Sequence, residues 1–213
     1  MKTDDLAAVL AADAQRVDTA SLTRATGLIA LAGLAVTSCA ILLMFGARAD
    51  LAVAMATAPV LAKLTLGASV AGFSLVAFQR SLRPGRATVG ALWFVMLPLA
   101  AVFAWALATL AGQPAGEWAG PILGRSWRAC LISVTLYAML PFAALLALAR
   151  FGAPVKPRLT GIAAGLGAAG LATVAYALHC PEDALPFIAS WYPLAMGISA
   201  TIGAVAAPRL LRW

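Results

Sequence analysis

Charge is what this sequence has least of. Only 11% of its 213 residues are Asp, Glu, Lys or Arg, while 63% are hydrophobic; an ordinary soluble domain carries about a quarter charged residues. That shortage, with a mean hydropathy of +0.94, excludes a soluble globular chain and points to an integral membrane protein. The alternation of apolar and polar residues that a transmembrane barrel needs is also missing. The apolar runs are continuous, so the fold class is all-α, a polytopic bundle of transmembrane helices. No Asp or Glu falls inside an apolar run, which weighs against an ion-driven transporter or proton-coupled pump. The one histidine lies outside the runs, which gives little support to a haem oxidoreductase. The first 24 residues have no apolar core of the kind a cleavable signal peptide requires. The net charge of +7 is no nucleic-acid signal, because the basic residues stand at helix ends, where they orient a membrane protein.

Six runs of near the ~20 residues that cross a bilayer are expected at 25–46, 58–79, 88–111, 129–149, 159–178 and 186–207, giving a six-span domain over 25–213. Arg80, Arg83 and Arg86, then Arg150, Lys156 and Arg158, then Arg209 and Arg212 share one side with the N-terminus. The opposite segments are poorer in positive charge: Arg48 is matched by Asp50, Arg125 and Arg128 by Glu117, and the last loop is acidic. Both termini are therefore expected in the cytoplasm. Trp118, Trp127, Tyr137, Tyr176, Trp191 and Tyr192 read as an aromatic belt at the outer interface, with Trp93 and Trp213 at the inner one. Lys63, close to the outer end of the second run, is expected to snorkel. Pro98 and Pro141 are expected to kink the third and fourth spans, opening a cavity or serving packing. Gly161, Gly165, Gly167 and Gly170 give the fifth run a small-residue face, which is expected to place it centrally in the bundle, with a dimer face as the alternative use.

Ahead of the spans, residues 3–17 read as an amphipathic helix. Thr3 suits an N-cap, and Asp4 and Asp5 suit the positive end of the helix dipole. Leu6, Val9, Leu10 and Val17, with Ala14 between, fall on one face, and Asp13, Gln15 and Asp18 leave polar positions elsewhere on the surface. The segment is too acidic for anionic lipid, and an apolar stripe with acidic neighbours fits a protein groove.

The chemistry concentrates in His179-Cys180-Pro181-Glu182-Asp183, between the fifth and sixth runs, and in Cys130, which opens the fourth run on the same side. Antiparallel neighbours joined by a short inner loop bring Cys130 and Cys180 towards each other. The pair has three readings: a redox switch; soft-metal ligands helped or tuned by His179, Glu182 or Asp183; or a static disulfide or idle thiols. Cys39, inside the first run, reads as a buried apolar thiol.

Several stretches carry a resemblance. They are Met1-Lys2-Thr3-Asp4-Asp5-Leu6 with Leu10-Ala11-Ala12-Asp13, Trp127 with Cys130 and Leu140-Pro141, the His179–Asp183 pentapeptide followed by Phe187, Trp191 and Tyr192, and Pro208-Arg209-Leu210-Leu211-Arg212-Trp213. In these the chain resembles the NrsF family of bacterial membrane anti-sigma factors. The resemblance implies a regulator rather than an enzyme, with no catalytic residues, no required cofactor, no small-molecule substrate and no direct nucleic-acid binding. It implies an inner-membrane protein, in contact with lipid, that holds an extracytoplasmic-function sigma factor inactive and releases it under metal or oxidative stress. Residues 1–24 would be the sigma-binding segment, its contacts Asp5, Leu6, Val9, Leu10, Asp13 and Val17, and Cys130 and Cys180 the sensing pair, open to transient heavy-metal binding. The competing expectation is a transporter or channel for a small solute or metal.

Overall fold

A computed structural model describes residues 3, 5, 19–85 and 88–211. Among them every regular element is a helix: α1 (Thr19–Phe45), α2 (Leu51–Ala54), α3 (Ala58–Ser81), α4 (Val89–Trp93), α5 (Met96–Ala111), α6 (Ala119–Leu123), α7 (Trp127–Ala149), α8 (Pro157–Ala177) and α9 (Leu185–Leu210), with one 3-10 turn at Ala115–Glu117. Six helical segments are long and apolar enough to cross a membrane, with α4 and α5 together forming the third. They match the six expected runs to within a few residues at each end.

Local chemistry explains the boundaries. Proline stands in the first turn of α3, α8 and α9, where its missing N–H costs nothing and its fixed φ suits a helix start. Gly46, at φ +77°, ends α1 in the left-handed conformation that only glycine adopts without strain. Pro98 has no N–H for the Phe94 carbonyl, and its ring crowds that oxygen. The helix therefore breaks at Phe94 and Val95, and Leu97 N–H bonds to the Phe94 carbonyl at 3.2 Å instead. A cleft of about 210 Å³ lies beside Pro98. Pro141, by contrast, sits within the uninterrupted α7, and Gly33 of α1 packs directly on its ring. Its role is packing.

The fifth span, α8, is the centre. It packs against α9, α3, α7 and α1, and α5 lies outside it against α9 and α3. Glycine sets these distances. A Cβ at Gly161 would overlap the Gly203 carbonyl on α9. A Cβ at Gly170 would sit 2.6 Å from the Ala71 nitrogen and 2.7 Å from the Gly67 oxygen on α3. Two backbones thus approach α8 on two faces, an approach that larger side chains would prevent. The bundle's outer surface carries Leu31, Val36, Leu43, Phe103, Ile132, Leu136 and Val205, all exposed, as lipid contact requires.

Gly203→Leu is expected to lower the thermal midpoint of the detergent-solubilised protein by the equivalent of about 1–3 kcal/mol, the usual cost of overpacking. Gly72→Leu, where a Cβ meets nothing within 4 Å, is expected to leave it unchanged. Differential scanning fluorimetry of both variants checks the pair.

Candidate functional site: a thiol pair clamped by buried ions

The loop from Leu178 to Ala184 joins α8 to α9, which pack closely on each other, and nearly every polar group in it is committed. Its anchor is Asp183. The carboxylate takes Lys63 Nζ at 2.7 Å on one oxygen and Arg48 Nη2 at 2.8 Å on the other. Both cations also donate to the Cys180 carbonyl, each at 3.1 Å. Arg48 reaches back to Asp50 through Nε at 2.7 Å and Nη2 at 3.0 Å. Its own N–H bonds to the Leu178 carbonyl at 3.1 Å.

Lys63 does not snorkel. Its side chain has 0% exposure, because the hydrogen bonds that would otherwise go to water are made to Asp183 and the Cys180 carbonyl. Burial is the strongest influence on the Asp183 carboxyl and pushes its pKa up, but the hydrogen bonds from Arg48 and then Lys63 outweigh it and hold it below the usual range. Arg48 is held firmly protonated by its bond to Asp183 and then to Asp50.

The other loop residues tie down different helices. Glu182 accepts from the backbone N–H of Arg125 at 2.8 Å and of Ser126 at 3.2 Å. These groups precede the first turn of α7, where a carboxylate satisfies orphan donors and faces the positive end of the helix. Gly124, at φ +55°, makes room for this: a Cβ there would lie 2.6 Å from the Phe187 ring and 2.9 Å from the Glu182 carboxylate. His179 Nδ1 lies 3.0 Å from the Gly46 carbonyl, and a carbonyl can only accept, so this nitrogen carries the proton. The imidazole packs between Phe45 and Tyr176. Trp191 donates to the Ile122 carbonyl at 2.7 Å and stacks on Trp127 at 4.7 Å.

Within this frame Cys130 and Cys180 are free, buried thiols whose side chains interact with each other. Tyr192 is fully buried beside them. Its hydroxyl has no hydrogen-bond partner of ordinary geometry among the described residues. The interaction with Cys130 is the largest influence on the Cys180 thiol and, with the Lys63 charge, outweighs burial to lower its pKa.

The sequence expectations meet this geometry unevenly. Cys130 and Cys180 are brought together. His179, Glu182 and Asp183 surround the pair but turn their polar atoms to Gly46, to the start of α7 and to the two cations. No group of three or more His, Cys, Asp or Glu side chains is arranged for a metal among the described residues. Tyr176 and Tyr192 are buried rather than part of an interfacial belt, and Cys39 is exposed rather than buried, on the outer surface of α1. Of the residues expected to contact a partner, Asp5 is described, helical and exposed; Leu6, Val9, Leu10, Asp13 and Val17 lie outside the described residues. Arg48 and Lys63 went unrecognised as site residues. The signal for Lys63 was available, since a lysine within a span calls for a named counter-ion.

Comparison with known proteins gives a consistent result. The family model NrsF, described as negative regulator of sigma F, matches residues 10–213. A protein of Azospira oryzae described as a probable anti-sigma-F factor NrsF is 35% identical over 213 residues, covering the whole of both chains. The anti-sigma-F factor NrsF of Caulobacter vibrioides is 33% identical over 223 residues, again across both full lengths. No solved structure matches the chain significantly.

Asp183→Asn is expected to destabilise the bundle by about 3 kcal/mol, the low end for breaking a buried pair, because Asp183 keeps 32% exposure. Since folding depresses the Asp183 pKa, its contribution is present above the ordinary carboxylate range and is lost as pH falls through the folded value. Thermal midpoints measured from neutral pH downwards are expected to fall more steeply at acid pH in the parent than in the variant.

Proposed function

The chain belongs to the NrsF family of negative regulators of sigma F, and from that premise we propose that it is a membrane-bound anti-sigma factor of the bacterial inner membrane. Residues 1–24 bind an extracytoplasmic-function sigma factor at the cytoplasmic face, through Asp5, Leu6, Val9, Leu10, Asp13 and Val17. Both termini lie on that face. Occluding a transcription factor's working surface is an equilibrium of binding, so no catalytic step is involved.

The input is the thiol pair at the opposite end of the bundle. The observation that carries this reading is the meeting of Cys130 and Cys180, 50 positions apart in the sequence, at one buried point. With a peroxide as oxidant, one thiolate sulfur takes an oxygen and hydroxide leaves. The second thiol then attacks that sulfur, the S–S bond forms and water departs, with two electrons passed to the peroxide. A soft metal ion instead binds both sulfurs as they shed their protons. Either event changes how α7 and α8 meet, and α8 touches α1, the helix that follows the sigma-binding segment. A difference of ~1–3 kcal/mol between two packings changes affinity about 5–150-fold.

Affinity purification from membranes, comparing the intact chain with one lacking residues 2–20, is expected to recover a sigma factor with the first only. Recovery with both would move the binding site off this segment. Recovery with neither, together with solute uptake, would favour a transporter. Alanine at both Cys130 and Cys180 is expected to abolish the response to oxidant or metal in a reporter strain while membrane insertion stays intact. An undiminished response would remove the sensing role.

A further inference from the structure

The end of the bundle opposite the thiols holds a basic cavity of about 370 Å³. We propose that it binds the phosphate headgroup of an anionic phospholipid of the inner leaflet, with Arg83 and Lys156 as the charged contacts. This site goes beyond the sensing and sigma-binding roles above and shares with them only the orientation of the chain.

Two loops build the cavity, and they are fastened to each other. The Ala153 N–H donates to the Leu82 carbonyl at 3.0 Å, and a Cβ at Gly152 would lie 3.0 Å from the Leu82 side chain. Arg83 comes next in the chain. Its Nη2 donates to Thr23 Oγ1 on α1 at 2.8 Å, which holds the guanidinium in place. Lys156 and Leu159, from the second loop and the first turn of α8, form another wall. No side chain caps α8. Its Arg158 and Leu159 N–H groups precede the first bond of the ladder, from the Thr160 N–H to the Lys156 carbonyl at 3.1 Å. The positive end of a 21-residue helix therefore adjoins the two cations.

Charge, depth and polarity name the occupant. The lining residues come from the stretches 51–116 and 118–181, which contain no Asp or Glu, so the complementary ligand is an anion. The cavity lies where α3 ends at Ser81 and α8 begins at Pro157, the level at which headgroups meet a transmembrane bundle. Basic pockets between spans on the cytoplasmic side are headgroup sites for this reason. Apolar side chains stand beside the cations: Val89 and Val155 line the cavity and are 47% and 71% exposed. The acyl end of a lipid gains from covering them, and a free phosphate does not. An amphipathic helix ~10 Å across does not enter a cavity of this size, whereas a headgroup does.

Thermal midpoints of the detergent-solubilised full chain, read with added phosphatidylglycerol, phosphatidylcholine or inorganic phosphate, test this directly. Phosphatidylglycerol is expected to raise the midpoint to a plateau, and the other two to leave it unchanged. With Arg83→Gln and Lys156→Gln combined, the phosphatidylglycerol needed is expected to rise roughly tenfold or more, the effect of losing two cations at a headgroup. Lys156→Gln alone, at an exposed position, is expected to move it in the same direction and serves if the double variant does not fold. Arg150→Gln with Arg209→Gln removes two charges from the same end of the bundle but outside this cavity, and is expected to change the requirement little. Equal weakening in both pairs reduces the effect to general surface charge and overturns the site. An equal rise with inorganic phosphate makes the ligand a free anion and overturns the lipid assignment. A phosphatidylglycerol effect that emerges only when Asp4, Asp5, Asp13 and Asp18 are all changed to Asn gives the cavity to the chain's own acidic segment, and overturns it too. The assay needs neither a sigma factor nor a thiol, so its failure and the failure of the sensing role are told apart.

Discussion

A single carboxylate shared by two buried cations organises the thiol end of this bundle. Asp183 binds Lys63 from the second span and Arg48 from the turn after the first. Both cations then hold the carbonyl of Cys180. Burying such charges is expensive, and apolar residues of similar size would be as stable or more so. What the ions contribute is position. A lysine inside a span must find its partner, and here the partner lies 120 positions away, so the ion pair admits one arrangement of the spans around it.

From that constraint the rest of the site follows. With Asp183 fixed, Glu182 reaches the start of α7 and His179 reaches the end of α1. One short loop is thereby tied to the first, second and fourth spans while joining the fifth to the sixth. The glycine contacts at Gly161 and Gly170 carry that order along the membrane, because backbones in contact cannot shift without moving each other. Under the proposed sensing role, a change in the bond or charge between Cys130 and Cys180 would act on a bundle with little slack, which is what a signal from one face to the other requires.

The six spans and the central place of α8 were legible because both rest on local patterns: run length and small residues four apart. The meeting of Cys130 with Cys180 was legible from the short connection between their helices. What escaped the sequence was long-range pairing. Lys63 reads as a snorkelling residue when only its depth is considered; its burial depends on Asp183, which looks from its own neighbours like part of a solvated acidic loop. Tyr176 and Tyr192 read as interfacial by position along the helix, yet rotation about the helix axis turns them inward to the thiols, and the same degree of freedom turns Cys39 outward. The low moment of nearly uniform apolar helices leaves that rotation unmarked in sequence.

The account's central claim is that the ion clamp and the thiol pair act as one device. A double-mutant cycle on the proposed oxidant- or metal-induced sigma release, with Asp183→Asn and Cys180→Ser alone and combined, tests it most directly. The account predicts strong non-additivity: once Cys180 is gone, removing the Asp183 charge changes the response little further. Independent, additive effects of the two substitutions would contradict it, and would reduce the clamp to a structural tie beside a separate sensor.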